Sequence, residues 1–103
     1  MASNEVEEAV KRINSHKGVL GVLVVNYDGV PIKTSMEAAE TVQHAALITL
    51  FTEKAKGVIK QLDPDNEVTF LRVRSKKNEI LIAPDENYIL VVLQNPGSSF
   101  EKQ

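Results

Sequence analysis

Residues 19–25 constrain the fold of this chain more than any other stretch. They read VLGVLVV, with no alternation of apolar and polar side chains. A strand with one face in water shows such alternation, whereas a strand covered on both faces does not. The abundance of β-branched valine also favours a strand over a helix. We therefore predict a central strand, in a sheet whose two faces must both be covered by other elements.

Two helices and four further strands complete the predicted chain. Apolar residues at helical spacing predict an amphipathic helix over 4–17. A long helix is predicted to begin between Ser35 and Glu40 and to end near Leu62. Hairpin-length connections within both strand groups favour an antiparallel sheet in an α+β domain of order αββαβββ. The predicted strands are 19–25, 30–34, 68–75, 79–83 and 88–94.

Length and composition limit the domain count and the class of protein. The 103 residues suit one compact domain, predicted over 1–96, with a flexible C-terminal tail over 97–103. The chain has no cysteine and no apolar signal run near its start, so we expect it in the cytoplasm. A net charge of −2 indicates no general affinity for nucleic acid. The longest apolar run, 22–25, is too short for membrane insertion.

The long predicted helix has an unusually wide apolar stripe. At about 100° per residue, the stripe covers about half of the helix circumference. A helix that packs on one sheet needs a narrower stripe, so a second contact surface is expected. Isologous pairing is the commonest way for a small protein to bury such a surface, and we predict a homodimer. The stripe consists of Leu47, Ile48, Leu50, Phe51, Ala55, Val58, Ile59 and Leu62.

No constellation of residues predicts catalysis, a cofactor or a metal ion. His16 and His44 each lack a second ligand at a metal-binding spacing. An EF-hand loop that began at Asp63 would need glycine and glutamate where Val68 and Arg74 stand. Phosphate-binding loops and serine nucleophiles with a placed base are missing as well. We therefore expect a protein that is not an enzyme and has no cofactor.

The basic cluster Arg72, Arg74, Lys76 and Lys77 admits two interpretations. A solvated strand end would use these charges to discourage edge-to-edge aggregation. Alternatively, Arg72 and Arg74 lie at a protein contact, because the two-residue period of a strand puts them on the same face as Val68 and Phe70. The sequence leaves both interpretations open.

Several segments in a fixed order resemble the roadblock family of dynein light chains. The longest is FLRVRSKKNEI at 70–80, followed by APD at 83–85 and QNP at 94–96. Earlier segments are KGV at 17–19, VVN at 24–26, GVPIK at 29–33 and DP at 63–64. The resemblance extends from about Val6 to Pro96. It is looser over 40–52.

This resemblance implies an architecture and a role. The fold would be a five-stranded antiparallel sheet, with the long helix on one face and the short N-terminal helix on the other. Two long helices would pack together in a homodimer, and the strands that start at Val68 would pair edge to edge. The role would be a non-catalytic accessory light chain of cytoplasmic or axonemal dynein, bound to the dynein intermediate chain and associated with microtubules or the axoneme of a cilium or flagellum. The alternative is a roadblock-fold scaffold or regulator of a small GTPase. The expected dimer contacts are Leu47, Leu50, Phe51, Val58, Val68, Phe70, Arg72 and Arg74.

A partner is expected on the face of the first helix. That helix, about 21 Å long at 1.5 Å per residue, cannot cover five strands spaced about 4.8 Å apart. The resemblance implies an intermediate-chain segment on the uncovered surface. We predict that Val6, Val10 and Ile13 lie near the edges of this docking surface. Alternatively, these three side chains complete the core, which for Val10 is the preferred interpretation.

Overall fold

The computed structural model describes residues 3–96. The predicted order αββαβββ is confirmed within this range. The predicted flexible tail, 97–103, lies outside the described residues. The elements are α1 (Ser3–Asn14), β1 (Val19–Asn26), β2 (Pro31–Thr34), α2 (Ala38–Leu62), β3 (Leu71–Arg74), β4 (Glu79–Pro84) and β5 (Tyr88–Gln94).

All five strands form one antiparallel sheet in the order β2-β1-β5-β4-β3. The two most apolar strands, β1 and β5, therefore have a paired neighbour on each side. Alternate side chains of β1 point to opposite faces, and Val22 and Leu23 are both fully buried. The α2 helix lies on one face and α1 on the other, as the resemblance implies. This arrangement confirms that 19–25 is a central strand covered on both sides.

Each sheet face carries its own apolar core. On the α2 face, Leu23, Ile82 and Val91 pack with Ile48 of the helix. On the α1 face, Val22 and Val24 pack with Val10, and Val6 and Ile13 are partly buried against them. The α1 core is the smaller, because α1 has only 12 residues and packs mainly on β1 and β2.

The α1 helix ends three residues earlier than predicted, at Asn14 instead of 17. The hydroxyl of Ser15 donates to the Arg12 carbonyl at 2.7 Å, and this local bond competes with helical continuation. Gly18 then adopts a positive φ of 89°, which glycine tolerates without a steric cost. The chain can therefore turn directly from α1 into β1.

Residues just before α2 anchor the C-terminal end of α1 and the first half of β1. Ser35 Oγ accepts the backbone N–H of Val22 at 2.9 Å and donates to Asn14 Oδ1 at 3.0 Å. At Gly21, a Cβ atom would lie 2.6 Å from Met36 Cγ, too close for any side chain without a shift. Glycine at this position thus lets the chain before α2 lie against the start of β1.

β3 is shorter than predicted and begins at Leu71 rather than 68. The β3–β4 ladder starts with Leu71 opposite Ile82. Continued in the same register, it would place Thr69 opposite Pro84, which has no N–H to donate. The two segments separate here and leave a cleft of about 560 Å³ between 67–69 and 84–86.

The side of α2 that faces the sheet is rich in threonine. Its buried residues are Thr41, Ala45, Ile48, Thr49 and Thr52. Thr41 and Thr34 share a hydrogen bond at 2.9 Å between their hydroxyl oxygens. By contrast, the hydroxyls of Thr49 and Thr52 are buried with no hydrogen-bond partner. A buried hydroxyl without a partner is destabilising, so this packing costs free energy.

We predict that Thr52→Val stabilises the protein. Valine keeps the shape of threonine and removes the unpaired hydroxyl, so the free energy of unfolding should rise by about 1 kcal/mol. Urea denaturation at one fixed protein concentration measures it. Thr41→Val is the matched control, and it should destabilise the protein, because it breaks the bond to Thr34. A loss of stability in Thr52→Val comparable to that of the control would contradict the prediction.

Candidate functional site

The solvent side of α2 is the largest group of exposed apolar side chains on one described element. Its members fall within about 120° of the helix circumference, at 100° per residue. The threonine-rich side lies opposite. We call this group the outer face of α2; it consists of Leu47, Leu50, Phe51, Val58 and Leu62, between 45% and 77% exposed.

The wide stripe predicted for α2 thus divides into two parts. Ile48 turns toward the sheet, where it is 6% exposed, and the outer face remains in solvent. The apolar side of a helix normally packs inward, and here the larger apolar residues point outward. Contiguous exposed apolar patches mark contact sites for other proteins. The outer face of α2 is therefore a candidate binding surface.

An apolar groove extends this surface onto the sheet. Leu47 and Phe51 line it from α2, and Val73 and Ile80 line it from β3 and β4. Its volume is about 230 Å³, and every residue that lines it is apolar. The groove leads from the outer face of α2 toward β3, which is an edge strand of the sheet formed by the described residues. One docking molecule can therefore contact α2, the groove and the free strand edge together.

The segment that leads into β3 lies beside the same surface. Phe70 is 51% exposed, and Val68 is half-buried. Both line a cleft of about 430 Å³ between this segment and Val58 and Ile59 of α2. The structure brings six of the expected dimer contacts, those on α2 and in this segment, to one side of the chain. Their burial in a dimer stays a prediction.

The strand register places Arg72 and Arg74 on the other sheet face, the α1 face. One row across that face runs Val22, Val92, Leu81 and Arg72. Apolar residues lie near α1, and the arginine lies at the free edge. These two expected dimer contacts therefore do not share a face with the outer face of α2.

Glu79 is the centre of a polar network on this face. The residue is 2% exposed. Arg72 Nε donates to Glu79 Oε2 at 2.7 Å, and Gln94 Nε2 donates to Oε1 at 2.9 Å. Arg74 Nε lies 3.9 Å from Oε2, and its Nη2 donates to the Pro96 carbonyl at 2.7 Å. The network joins β3, β4, β5 and the chain after β5.

These contacts give a third interpretation of the two arginines, in which they stabilise the fold of their own chain. Each has an acceptor within its own chain, and the side chains keep 40% and 37% exposure. Hydrogen bonds from Arg72 and then Gln94, together with the nearby arginine charges, hold the pKa of the Glu79 carboxyl below its ordinary value of 4.5. Sequence reasoning missed Glu79 and Gln94. The signal was an acidic residue that starts a strand a short turn after two arginines.

The three residues of α1 that were expected near the partner differ in their burial. Val10 is 4% exposed and belongs to the core, so its packing follows the alternative considered from the sequence. Val6 and Ile13 are partly buried beside it. Beyond α1, Leu81 and Leu90 on the same sheet face are half-buried. A partner that docks there would contact these leucines and the rim of α1.

The remaining features of the described residues do not indicate a catalytic site, a metal site or a membrane span. Lys56 Nζ lies 4.5 Å from the centre of the Tyr27 ring, at the wall of the cleft near Pro84. Over 3–96, no three histidine, aspartate or glutamate side chains cluster as a metal site would require. In the same range, no helix combines the length and apolarity needed to cross a membrane.

We predict that Glu79→Gln destabilises the protein at neutral pH. The folded chain holds the carboxylate's proton less tightly than the unfolded chain does. Glu79 therefore stabilises the fold fully above its ordinary pKa of 4.5, and this contribution falls as pH drops through the lower folded pKa. The stability difference between parent and Glu79→Gln should narrow over that range. Urea denaturation at several pH values measures the difference.

Glu86→Gln is the control, because Glu86 is exposed in the β4–β5 turn. Its stability difference from the parent should stay small and nearly independent of pH. A difference for Glu79→Gln that is equally flat would show that the network does not stabilise the fold.

Solved structures with the same fold come from several bacteria. MglB of Myxococcus xanthus matches with a TM-score of 0.78 and 18% identity, over 94% of this chain and 80% of that one. A roadblock/LC7 domain from Streptomyces avermitilis gives 0.78 and 12%, over 93% and 79%. An MglB with a tetrameric arrangement gives 0.81 and 11%, over 97% and 77%. At these identities the matches show the fold alone.

The family comparison covers almost all of the described chain. The Roadblock/LC7 domain model matches residues 5–95, which includes both helices and all five strands apart from the first residues of α1. The sheet order and the helix placement agree with the solved roadblock structures. The chain therefore belongs to the Roadblock/LC7 family.

Proposed function

We propose that this protein is a non-catalytic, homodimeric adaptor that holds a partner protein. The observation that carries the proposal is the outer face of α2, whose five large apolar side chains are exposed in the single chain. A second copy of the chain is the occupant that we infer. The name of a related structure, an MglB with a tetrameric arrangement, agrees with self-association in this fold.

The dimer would use two adjoining surfaces. In an isologous contact, each copy offers the same patch, so two α2 helices would pack against each other about a twofold axis. The free edge of β3 lies beyond the groove lined by Leu47 and Val73. Two such edges can pair antiparallel about the same axis. The dimer would then bury Phe51 and Phe70 and remove an unpaired strand edge from solvent.

A partner protein would dock on the α1 face, which the dimer contact leaves free. Among partner classes, a small GTPase is our first candidate. Two of the three similar structures, the MglB of Myxococcus xanthus and the Streptomyces domain, are bacterial, and none of the three is named as a dynein subunit. They support the wider roadblock fold, and so the GTPase alternative, better than a dynein light chain.

The dynein intermediate chain is the second candidate. The observation that favours it is the segment FLRVRSKKNEI at 70–80 with APD and QNP after it, which resembles the dynein branch. A cytoplasmic location, with association to microtubules or an axoneme, is part of this second proposal. In both candidates the chain binds and positions a protein and carries out no chemical step of its own.

We predict that Phe51→Asp converts the dimer to a monomer. A charge in an apolar contact should cost at least about 2 kcal/mol for each copy, and the twofold axis doubles it. The dissociation constant should therefore rise at least about 1000-fold. Sedimentation equilibrium at micromolar concentration measures it.

Val42→Asp is the matched control for this change. Val42 is 65% exposed on the same helix but lies outside the outer face of α2. Its variant should remain a dimer, and circular dichroism should show both variants folded. A dimeric Phe51→Asp protein would refute the proposed contact.

We predict that affinity purification of the full chain from cell extract recovers a small GTPase. Mass spectrometry of the bound proteins identifies it, and the Phe51→Asp variant tests whether recovery needs the dimer. Amide chemical shifts of the chain should move on the α1 face when the partner is added. Recovery of dynein intermediate chain without a GTPase would reverse the order of the two candidates. Chemical-shift changes confined to α2 would show that the partner binds α2 and would contradict the proposed docking on the α1 face.

A further inference from the structure

The cleft at the start of β3 is separate from the surfaces discussed so far. It has a volume of about 560 Å³ and is lined by Tyr27, Lys56, 67–69 and 84–86. No residue of α1 lines it, and none of the five that form the outer face of α2 does so. We call it the β3–β4 cleft, because it opens where 67–69 diverges from the end of β4. It is therefore a candidate site distinct from the outer face of α2 and from the α1 face.

The strand pattern directs backbone groups of both walls into the β3–β4 cleft. In an antiparallel ladder, every second residue turns its N–H and C=O toward the same neighbouring strand. The Ser75 N–H donates across the β3–β4 turn at 2.8 Å, so the odd-numbered residues of β3 face β4, and Thr69 continues this series. The Asp85 N–H donates across the β4–β5 turn at 2.8 Å, so the odd-numbered residues of β4 face β5. Pro84 therefore turns its carbonyl to the cleft.

These backbone groups have no partner within the part of the chain that the structure describes. A regular ladder would join the Thr69 N–H to the Pro84 carbonyl, but the two segments have separated and this bond is not formed. The Thr69 carbonyl has no donor opposite it, because proline has no N–H. The cleft thus offers two carbonyl acceptors and one N–H donor, a set that suits a ligand rich in donors.

Charged side chains add more acceptors to the same cleft. Glu67, Asp85 and Glu86 supply three carboxylates, against one ammonium from Lys56. None of these four side chains forms an ion pair with another described residue. The Lys56 ammonium lies instead 4.5 Å from the centre of the Tyr27 ring. The excess of negative charge favours a cationic ligand and disfavours a phosphate or a carboxylate.

We propose that the β3–β4 cleft binds an arginine side chain that an extended segment of another protein presents. A guanidinium has five N–H donors and no acceptor, and it stays charged at physiological pH. Its planar fork can donate to the carbonyls of Thr69 and Pro84 and to the carboxylate of Glu67 or Glu86. The Thr69 N–H is left for a backbone carbonyl of the bound segment. This inference goes beyond the proposed function and does not rest on it, since the whole cleft lies within one chain.

The arrangement of acceptors favours arginine over lysine. The acceptors lie on two walls of the cleft, and a lysine ammonium presents its three donors at a single point. A guanidinium spreads its donors over a plane and can reach both walls at once. Lys56 is the ammonium that the chain itself supplies, and it lies against Tyr27 rather than beside a carboxylate. The carboxylates are therefore left for a cation from outside.

Three peptides of about five residues test the class of ligand with the full-length protein. They share one capped sequence, valine and threonine on either side of a central arginine, lysine or citrulline. Citrulline has the shape of arginine without its charge. Titration followed by amide signals gives both the affinity and the site. We expect the arginine peptide to shift Thr69 and Glu86 and to bind about tenfold more tightly than the citrulline peptide, because charged donors form stronger hydrogen bonds. The lysine peptide should bind severalfold more weakly than the arginine peptide.

Charge variants test the walls of the cleft. Glu67→Gln and Glu86→Gln should each weaken binding of the arginine peptide severalfold and leave the citrulline peptide almost unaffected, because both carboxylates are exposed at the cleft. Glu40→Gln is the matched control. Glu40 is exposed in the first turn of α2, about 24 Å along the helix from Lys56 at 1.5 Å per residue. Its variant should bind all three peptides as the parent does.

Several results would overturn the inference. Equal affinity of the arginine and citrulline peptides would show that charge is not recognised, and equal affinity of the arginine and lysine peptides would show that the guanidinium is not. An equal loss in all three variants would show that only the total charge matters. Amide shifts confined to the α1 face or to the outer face of α2, or no shift at millimolar peptide, would show that the cleft is not the site. None of these results bears on the proposed dimer, which the Phe51→Asp variant tests.

Discussion

Burial of β1 and β5 on both faces is the constraint on which the rest of the molecule depends. Val22, Leu23, Ile89 and Val91 are fully buried, although they point to opposite sides of one sheet. Neither strand can lie at an edge, and each sheet face needs a cover. The short strands β2 and β3, with proline or charged residues, are thus left to the edges. The two helices must take opposite faces.

The two helices that cover the sheet differ in which apolar surface they leave exposed. α2 spans its face but presents threonines to the sheet and large apolar residues to solvent. α1 is short and packs mainly on β1 and β2 of the other face. On one face, the helix that covers the sheet exposes apolar side chains to solvent. On the other face, part of the sheet itself is less completely covered. This asymmetry supports separate surfaces for self-association and for a partner.

The sequence was sufficient to predict the order of elements, because runs such as 19–25 and the turn residues between strands act locally. It also predicted that the apolar stripe of α2 exceeds what one sheet can cover. It could not predict which side of α2 points inward. That orientation is set by tertiary contacts of the segment before the helix, such as the hydrogen bond between Thr34 and Thr41. Nor could it predict the start of β3, which depends on Pro84 in another strand. The Glu79 network depends on register across three strands, which no local pattern encodes.

The inward threonines of α2 have a consequence for the life of the chain in a cell. The two unpaired hydroxyls on the inner side of α2 weaken its attachment to its own sheet relative to a fully apolar contact. Its outer side would be held by a second copy. A newly made or orphaned copy would therefore open at α2 more readily than a paired one and would show apolar surface to chaperones and proteases. In a homodimer the unpaired fraction is largest when the chain is scarce, so such removal would act most strongly at low cellular concentration.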